Sequence, residues 1–79
     1  MAKQFEVGKL YYRCDNGYDP VRVTRRTEKT IWVTDEHTNR SWMMRVRRFD
    51  DGTEWAVEYQ VPKEWRDVAR FDARFVEQE

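Results

Sequence analysis

Two side chains could supply a nucleophile and a base, Cys14 and His37, and each is the only one of its kind among the 79 residues. Covalent catalysis needs a nucleophile, a base to activate it and a group to orient the base. His37 stands in the polar run Asp35-Glu36-His37-Thr38-Asn39 and Cys14 at the end of a strand-like segment. Nothing in their spacing brings them together. They read as a solvated loop histidine and a small residue at a core edge. Acidic pairs are abundant, Asp50-Asp51 and Glu77/Glu79 among them. Asp50-Asp51 is better explained by the turn it begins. No apolar pocket is implied that would raise a carboxyl pKa for acid catalysis. One His and one Cys do not make a structural zinc site. Asp15, Asn16 and Asp19 lack the spacing of an EF-hand calcium loop. The 3 glycines form no phosphate-binding loop. The expectation is a chain that is not an enzyme and needs no metal or cofactor.

A different chemistry is carried by Arg22, Arg26, Trp32, Met43, Arg45 and Arg47. The strand registers set out below gather these residues on one outer sheet face. Trp, Arg and Met are the residue types enriched in the centres of protein interfaces. The same set reads alternatively as a nucleic-acid surface, an indole stacking a base while guanidiniums meet phosphates. Two plainer readings stand beside these. Arginine stems often just cover a tryptophan on a solvated face, and the C-terminal stretch from Trp65 to Phe75 could pack there and bury it.

These residues are positioned by period-two alternation broken by short turn signals. The first strand covers Lys9–Cys14, and Asp15-Asn16-Gly17-Tyr18-Asp19-Pro20 interrupts it. Val21–Thr27 and Thr30–Asp35 form the second and third strands, with Val21, Val23, Ile31 and Val33 inward. Facing Val23 with Val33 calls for an odd loop, most simply Thr27-Glu28-Lys29. Trp32 then lies across from Thr24, with Arg22 and Arg26 on its diagonals. The fourth strand is Arg40–Phe49, with Trp42, Met44 and Val46 on one face and Met43, Arg45 and Arg47 on the other. Asp51-Gly52 between alternating runs favours a two-residue type I′ turn. That turn pairs Val46 with Val57, Met44 with Tyr59 and Arg45 with Glu58, and makes Thr53–Tyr59 the fifth strand.

The stretch Val61–Glu79 carries two periodicities. Ala69, Phe71, Ala73 and Phe75 alternate like a strand, whereas Trp65, Val68, Phe71 and Phe75 follow helical spacing. A short helical turn at Pro62–Asp67 followed by a strand is the favoured arrangement. Five or six short antiparallel strands with a helical turn before the last is the layout of a small SH3-like barrel, and closing the sheet hides its edges.

Length and charge agree with this picture. A chain of 79 residues is enough for one core, so a single domain, 1–79, is expected. Its 4 Trp, 4 Tyr and 4 Phe give that core area and argue against disorder, despite a mean hydropathy of −1.06. Net charge is zero, so no overall field draws the chain to nucleic acid or an anionic membrane. Residues 21–49 nevertheless hold 8 basic against 3 acidic side chains, and residues 50–79 hold 4 against 9. A lone cysteine excludes a disulfide framework. The opening Met1-Ala2-Lys3-Gln4-Phe5-Glu6 has no apolar leader, and no apolar run reaches membrane-spanning length. A cytoplasmic setting without membrane contact is the expectation. A sheet edge left exposed would also be open to pairing with a second copy, as a homodimer.

One pattern extends over roughly residues 5–58: Phe5, Val7-Gly8-Lys9, Tyr11, Arg26-Thr27, Lys29-Thr30-Ile31, Val33, Asp35, Arg45, Val46-Arg47 and the Asp51-Gly52/Glu54 turn. It resembles a group of short, mostly uncharacterised proteins of Gram-positive bacteria and their mobile elements. Most of the matched residues are turns, core valines and strand starts. The segment after Tyr59 departs from the pattern, being longer and richer in charge. The resemblance implies a compact β domain in a bacterial, phage or plasmid setting, where an interaction module can interfere with a host protein. It brings no catalytic residues.

Overall fold

Short alternating runs bury one side of an extended chain, and the computed structural model forms its strands in those runs. It describes residues 2–13, 20–58, 61–65 and 69–77. Strands β1 (Leu10–Arg13), β2 (Val21–Arg26), β3 (Thr30–Asp35), β4 (Arg40–Arg48), β5 (Glu54–Ala56) and β6 (Phe71–Val76) follow in order. A 3-10 turn at Lys63–Trp65 precedes the last, inside the expected Pro62–Asp67. Sequential strands pair antiparallel and β6 returns to β1, giving a closed all-β barrel consistent with the expected SH3-like layout. The C-terminal stretch therefore completes the ring between β5 and β1. Cys14 and the turn expected over residues 15–19 lie outside the described residues.

Two local features shift the expected register. The first is a β-bulge in β2. Val23 faces Val33 as expected, but Trp32 faces Arg25 rather than Thr24, and Arg26 faces Ile31. The Thr27 N–H donates to the Thr30 carbonyl at 2.8 Å, so the loop is Glu28-Lys29 rather than three residues. One extra residue reverses the side-chain alternation beyond it. Arg25 thus stands outward beside Trp32, and Arg26 turns toward the interior.

The second is the hairpin joining β4 and β5. The Phe49 N–H donates to the Thr53 carbonyl and the Gly52 N–H to the Phe49 carbonyl, both at 2.9 Å. They enclose three residues, Asp50-Asp51-Gly52, and Gly52 has φ of 87°. This is a type I turn closed by a left-handed glycine, in place of the two-residue type I′ turn. The Asp51 carboxylate accepts the Thr53 N–H at 2.9 Å, and that bond holds its pKa below the usual carboxylate value. The register slips by one residue, which moves every side chain of β5 to the opposite face. Val46 meets Ala56 rather than Val57, and Arg47 meets Trp55. Arg45 does not pair with Glu58, which instead bonds Arg40 at 2.8 Å. Tyr59, expected opposite Met44, lies outside the described residues. The alternation of β6 also breaks. Asp72 is fully buried and Phe75 is 45% exposed, because the β1–β6 ladder shifts between Tyr11↔Val76 and Arg13↔Phe71.

The core gathers Phe5, Tyr11, Val21, Val23, Ile31, Val33, Met44, Val46, Ala56, Phe71 and Ala73. Phe5 enters from outside the sheet and meets Tyr11 edge to face, with centroids 4.9 Å apart. It is held by a carboxylate. Glu54, turned inward by the register slip, is fully buried. It accepts the Phe5 N–H at 2.9 Å, two bonds from Arg26 at 2.8 and 3.0 Å, and one from Arg48 at 3.1 Å. Arg26 also donates to the Phe5 carbonyl at 2.7 Å, and the Glu54 N–H donates to the Lys3 carbonyl at 2.9 Å. A buried charge is tolerated only when so many partners meet it. Burial pushes the Glu54 pKa up, but the bonds from Arg26 and Phe5 and the charges of Arg26 and Arg48 outweigh burial and hold it below the usual value.

Glu54→Gln leaves the guanidiniums of Arg26 and Arg48 without their anion, and should destabilise the barrel by about 3 kcal/mol at pH 7 in urea unfolding. Because the folded-state pKa is lowered, this stabilisation is complete above the unfolded-state value of about 4.3 and disappears as the pH falls through the folded-state value. The gap between wild type and variant should close over that acid range, and a gap independent of pH would contradict the assignment.

Candidate interaction surface

The outer face of β3 and β4 is set by the core, since residues between inward Ile31, Val33, Met44 and Val46 must point outward. Arg25, Trp32 and Met43 form a cross-strand row over β2, β3 and β4. Thr30 faces Arg45 in a neighbouring row, and Arg47 faces Trp55. The guanidinium of Arg25 lies over the Trp32 ring at 4.6 Å from its centroid. The Thr24 hydroxyl, at the bulge, donates to the Trp32 carbonyl at 3.2 Å.

Two hollows flank Met43, which is 56% exposed. One, of about 580 Å³, is lined by Met43, Met44, Arg45, Arg47, Trp55, Val57 and Glu58. The other, of about 320 Å³, is lined by Thr24, Trp32, Val33, Thr34, Ser41, Trp42 and Met43. Among the described residues, no carboxylate pairs with Arg45 or Arg47. Beyond β5 lies a second cluster, with Phe49 stacked on Trp55 at 5.9 Å and Arg70 over Phe49 at 4.9 Å.

Of the six residues expected here, the structure brings Trp32, Met43, Arg45 and Arg47 onto one continuous surface. Arg22 shares the outer side of β2, but both its Nε and a terminal nitrogen bond the Glu36 carboxylate at 3.2 Å, and it also bonds the Gly8 carbonyl. It serves as a brace between loops. Arg26 does not belong to the surface, because the bulge turns it toward Glu54. Arg25 takes the place expected for it. Trp55 and Val57 join through the register slip. Alternation alone could not reveal Arg25, since a bulge leaves no compositional mark at Thr24. Trp55 was within reach, because Asp50-Asp51-Gly52 fits a three-residue loop as well as Asp51-Gly52 fits a two-residue one.

His37 is an exposed loop residue whose N–H caps the Asp35 side chain at 2.9 Å. Among the described residues, no three His, Cys, Asp or Glu side chains gather as a metal-holding group, and no helix is long and apolar enough to cross a membrane. No known protein family, curated protein or solved structure matches this chain.

Trp32 is half-buried on the outer face, and its contacts are a cation–π stack and a cross-strand pair. Trp32→Ala should therefore cost about 1 kcal/mol in urea unfolding, whereas Ile31→Ala one position away, in the core, should cost about 3 kcal/mol. Unfolding of the Trp32 variant would place this indole in the core.

Proposed function

We propose that this chain is a non-enzymatic interaction module that binds a protein partner through the outer face of β3 and β4. The carrying observation is Met43, exposed between two hollows, with Trp32 and Trp55 beside it and Arg25, Arg45 and Arg47 around it. Large apolar side chains at the middle and arginines at the rim match the composition of interface centres. Arg45 and Arg47 stay exposed, without an ion-pair partner among the described residues. They are not needed to neutralise an acid within the barrel. Following the resemblance to short proteins of bacteria and their mobile elements, the partner we favour is a host protein whose action the module obstructs.

The same arginines support a nucleic-acid reading less well. Arg25 already covers one side of the Trp32 indole where a base would stack, and Glu58 places an acid in the larger hollow. Labelled single-stranded DNA, double-stranded DNA and RNA should give no saturable anisotropy change at about 50 mM salt, where phosphate contacts are strongest. Binding there that collapses by about 200 mM salt would transfer the surface to nucleic acid. In parallel, Met43→Ala with Arg45→Glu and Arg47→Glu should abolish retention of the partner recovered with wild type. Its thermal midpoint should stay within about 4 °C, since all three side chains are exposed. A partner retained equally by the variant would remove this surface from the function.

A further inference from the structure

β4 has 9 residues and β5 has 3. On one side β4 is paired with β3 along Arg40–Arg45, but on the other it meets β5 only at Val46–Arg48. The direction of its backbone groups follows from two bonds. The Val46 N–H reaches the Lys29 carbonyl on the β3 side, and the Phe49 N–H reaches the Thr53 carbonyl across the β5 hairpin. Backbone groups alternate along a strand. Odd-numbered residues of β4 therefore direct their N–H and C=O toward β5. Arg47 meets Trp55 there. Met43 points the same way past the end of β5, as does the Arg45 N–H, whereas the Arg45 carbonyl faces Val57, as the Val46↔Ala56 pairing requires. The larger hollow lies along this edge.

We propose that this edge accepts an extended segment of the partner protein, alternating acidic and apolar residues, as an added strand. The proposal rests on the protein-binding reading of the surface and names the class of partner. The Met43 N–H and C=O and the Arg45 N–H are groups that a peptide backbone satisfies, and such groups make an open edge a template for pairing. Acidic side chains of the segment lie on the outer face beside Arg45 and Arg47, and the apolar ones alternate with them toward the side of Met44. A second copy of this chain fits poorly. β4 carries Arg40, Arg45, Arg47 and Arg48 and no acid, so pairing it with itself opposes like charges. Nucleic acid fits poorly too, since phosphates accept hydrogen bonds and offer none to the Met43 carbonyl. Glu58, on the hollow's wall, is held by Arg40 at 2.8 Å, which lessens its repulsion of an acidic segment.

The test uses the whole ¹⁵N-labelled chain and a capped synthetic peptide of about eight residues alternating Glu and Val. In the free chain the Met43 and Arg45 amides should exchange with solvent much faster than those of Met44 and Val46. Peptide should slow the first two at least about tenfold, with saturable shifts over Met43–Arg47 and Trp55–Glu58. N-methylation of every second peptide residue, made in both frames, should weaken binding by at least about tenfold in one frame. Slow exchange of both amides in the free chain overturns the proposal. So does equal binding of both N-methylated frames, or no binding at about 1 mM peptide. Peptide shifts centred on Arg25 and Trp32 with unchanged Met43 and Arg45 exchange would sink the strand addition and leave the protein-binding surface standing. Shifts produced by an oligo-dT strand and by neither peptide would end both.

Discussion

The structure depends on one buried carboxylate. Glu54 gathers the Phe5 amide and the guanidiniums of Arg26 and Arg48 at one end of the barrel. Satisfying it ties the N-terminal segment, β2, β4 and β5 together. Phe5 enters the core because its backbone is bound on both sides, by Glu54 and by Arg26. The segment before it is fastened to the hairpin of β4 and β5, through the Lys3 carbonyl and the close approach of Ala2 to Gly52. In so small a domain the apolar core alone stabilises only modestly, and a fully bonded ion cluster adds a constraint that hydrophobic packing lacks. It accepts only one register.

Two departures from simple alternation make the cluster possible, and each would be unfavourable alone. The bulge in β2 turns Arg26 inward, and the three-residue turn before β5 turns Glu54 inward. With the bulge only, a guanidinium would meet a hydrophobic end of the barrel. With the slip only, a carboxylate would. Together they form a pair, and their by-products appear on the opposite side. Arg25 comes out beside Trp32, and Trp55 comes out beside Arg47. The candidate surface and the buried cluster are thus two faces of the same register.

This explains what could be read from the chain. Strand positions were legible because valines and isoleucine alternate against polar residues, and β3 falls on the expected Thr30–Asp35. The helical turn before β6 was legible from Pro62. The outward set Trp32, Met43, Arg45 and Arg47 was legible because each lies within two residues of a core residue of its own strand. Arg26 was misplaced because its partner is 28 positions away, beyond any local pattern. Glu54 was assigned no role for the same reason. Choosing Val57 over Ala56 as the neighbour of Val46 is what hydrophobicity favours, and the ion cluster decides against it. Phe75 follows the alternation but falls outside the core, because the ladder closing the ring is irregular.

Ring closure has a kinetic side. The contacts that complete the barrel join its distant ends: Tyr11 with Val76, the Tyr12 hydroxyl with Glu77, the Phe5 amide with Glu54. Such separations make folding slow, since loop entropy is lost before any contact offsets it. During synthesis, β2, β3 and β4 pair locally as they emerge, while β1 waits for a strand made more than fifty residues later. Over that interval the growing sheet exposes bare edges to neighbouring chains. Its emerged strands carry arginines at positions 22, 25, 26, 40, 45, 47 and 48. Like charges of that density oppose sheet-to-sheet pairing, so the residues that dress the finished surface also keep nascent copies apart.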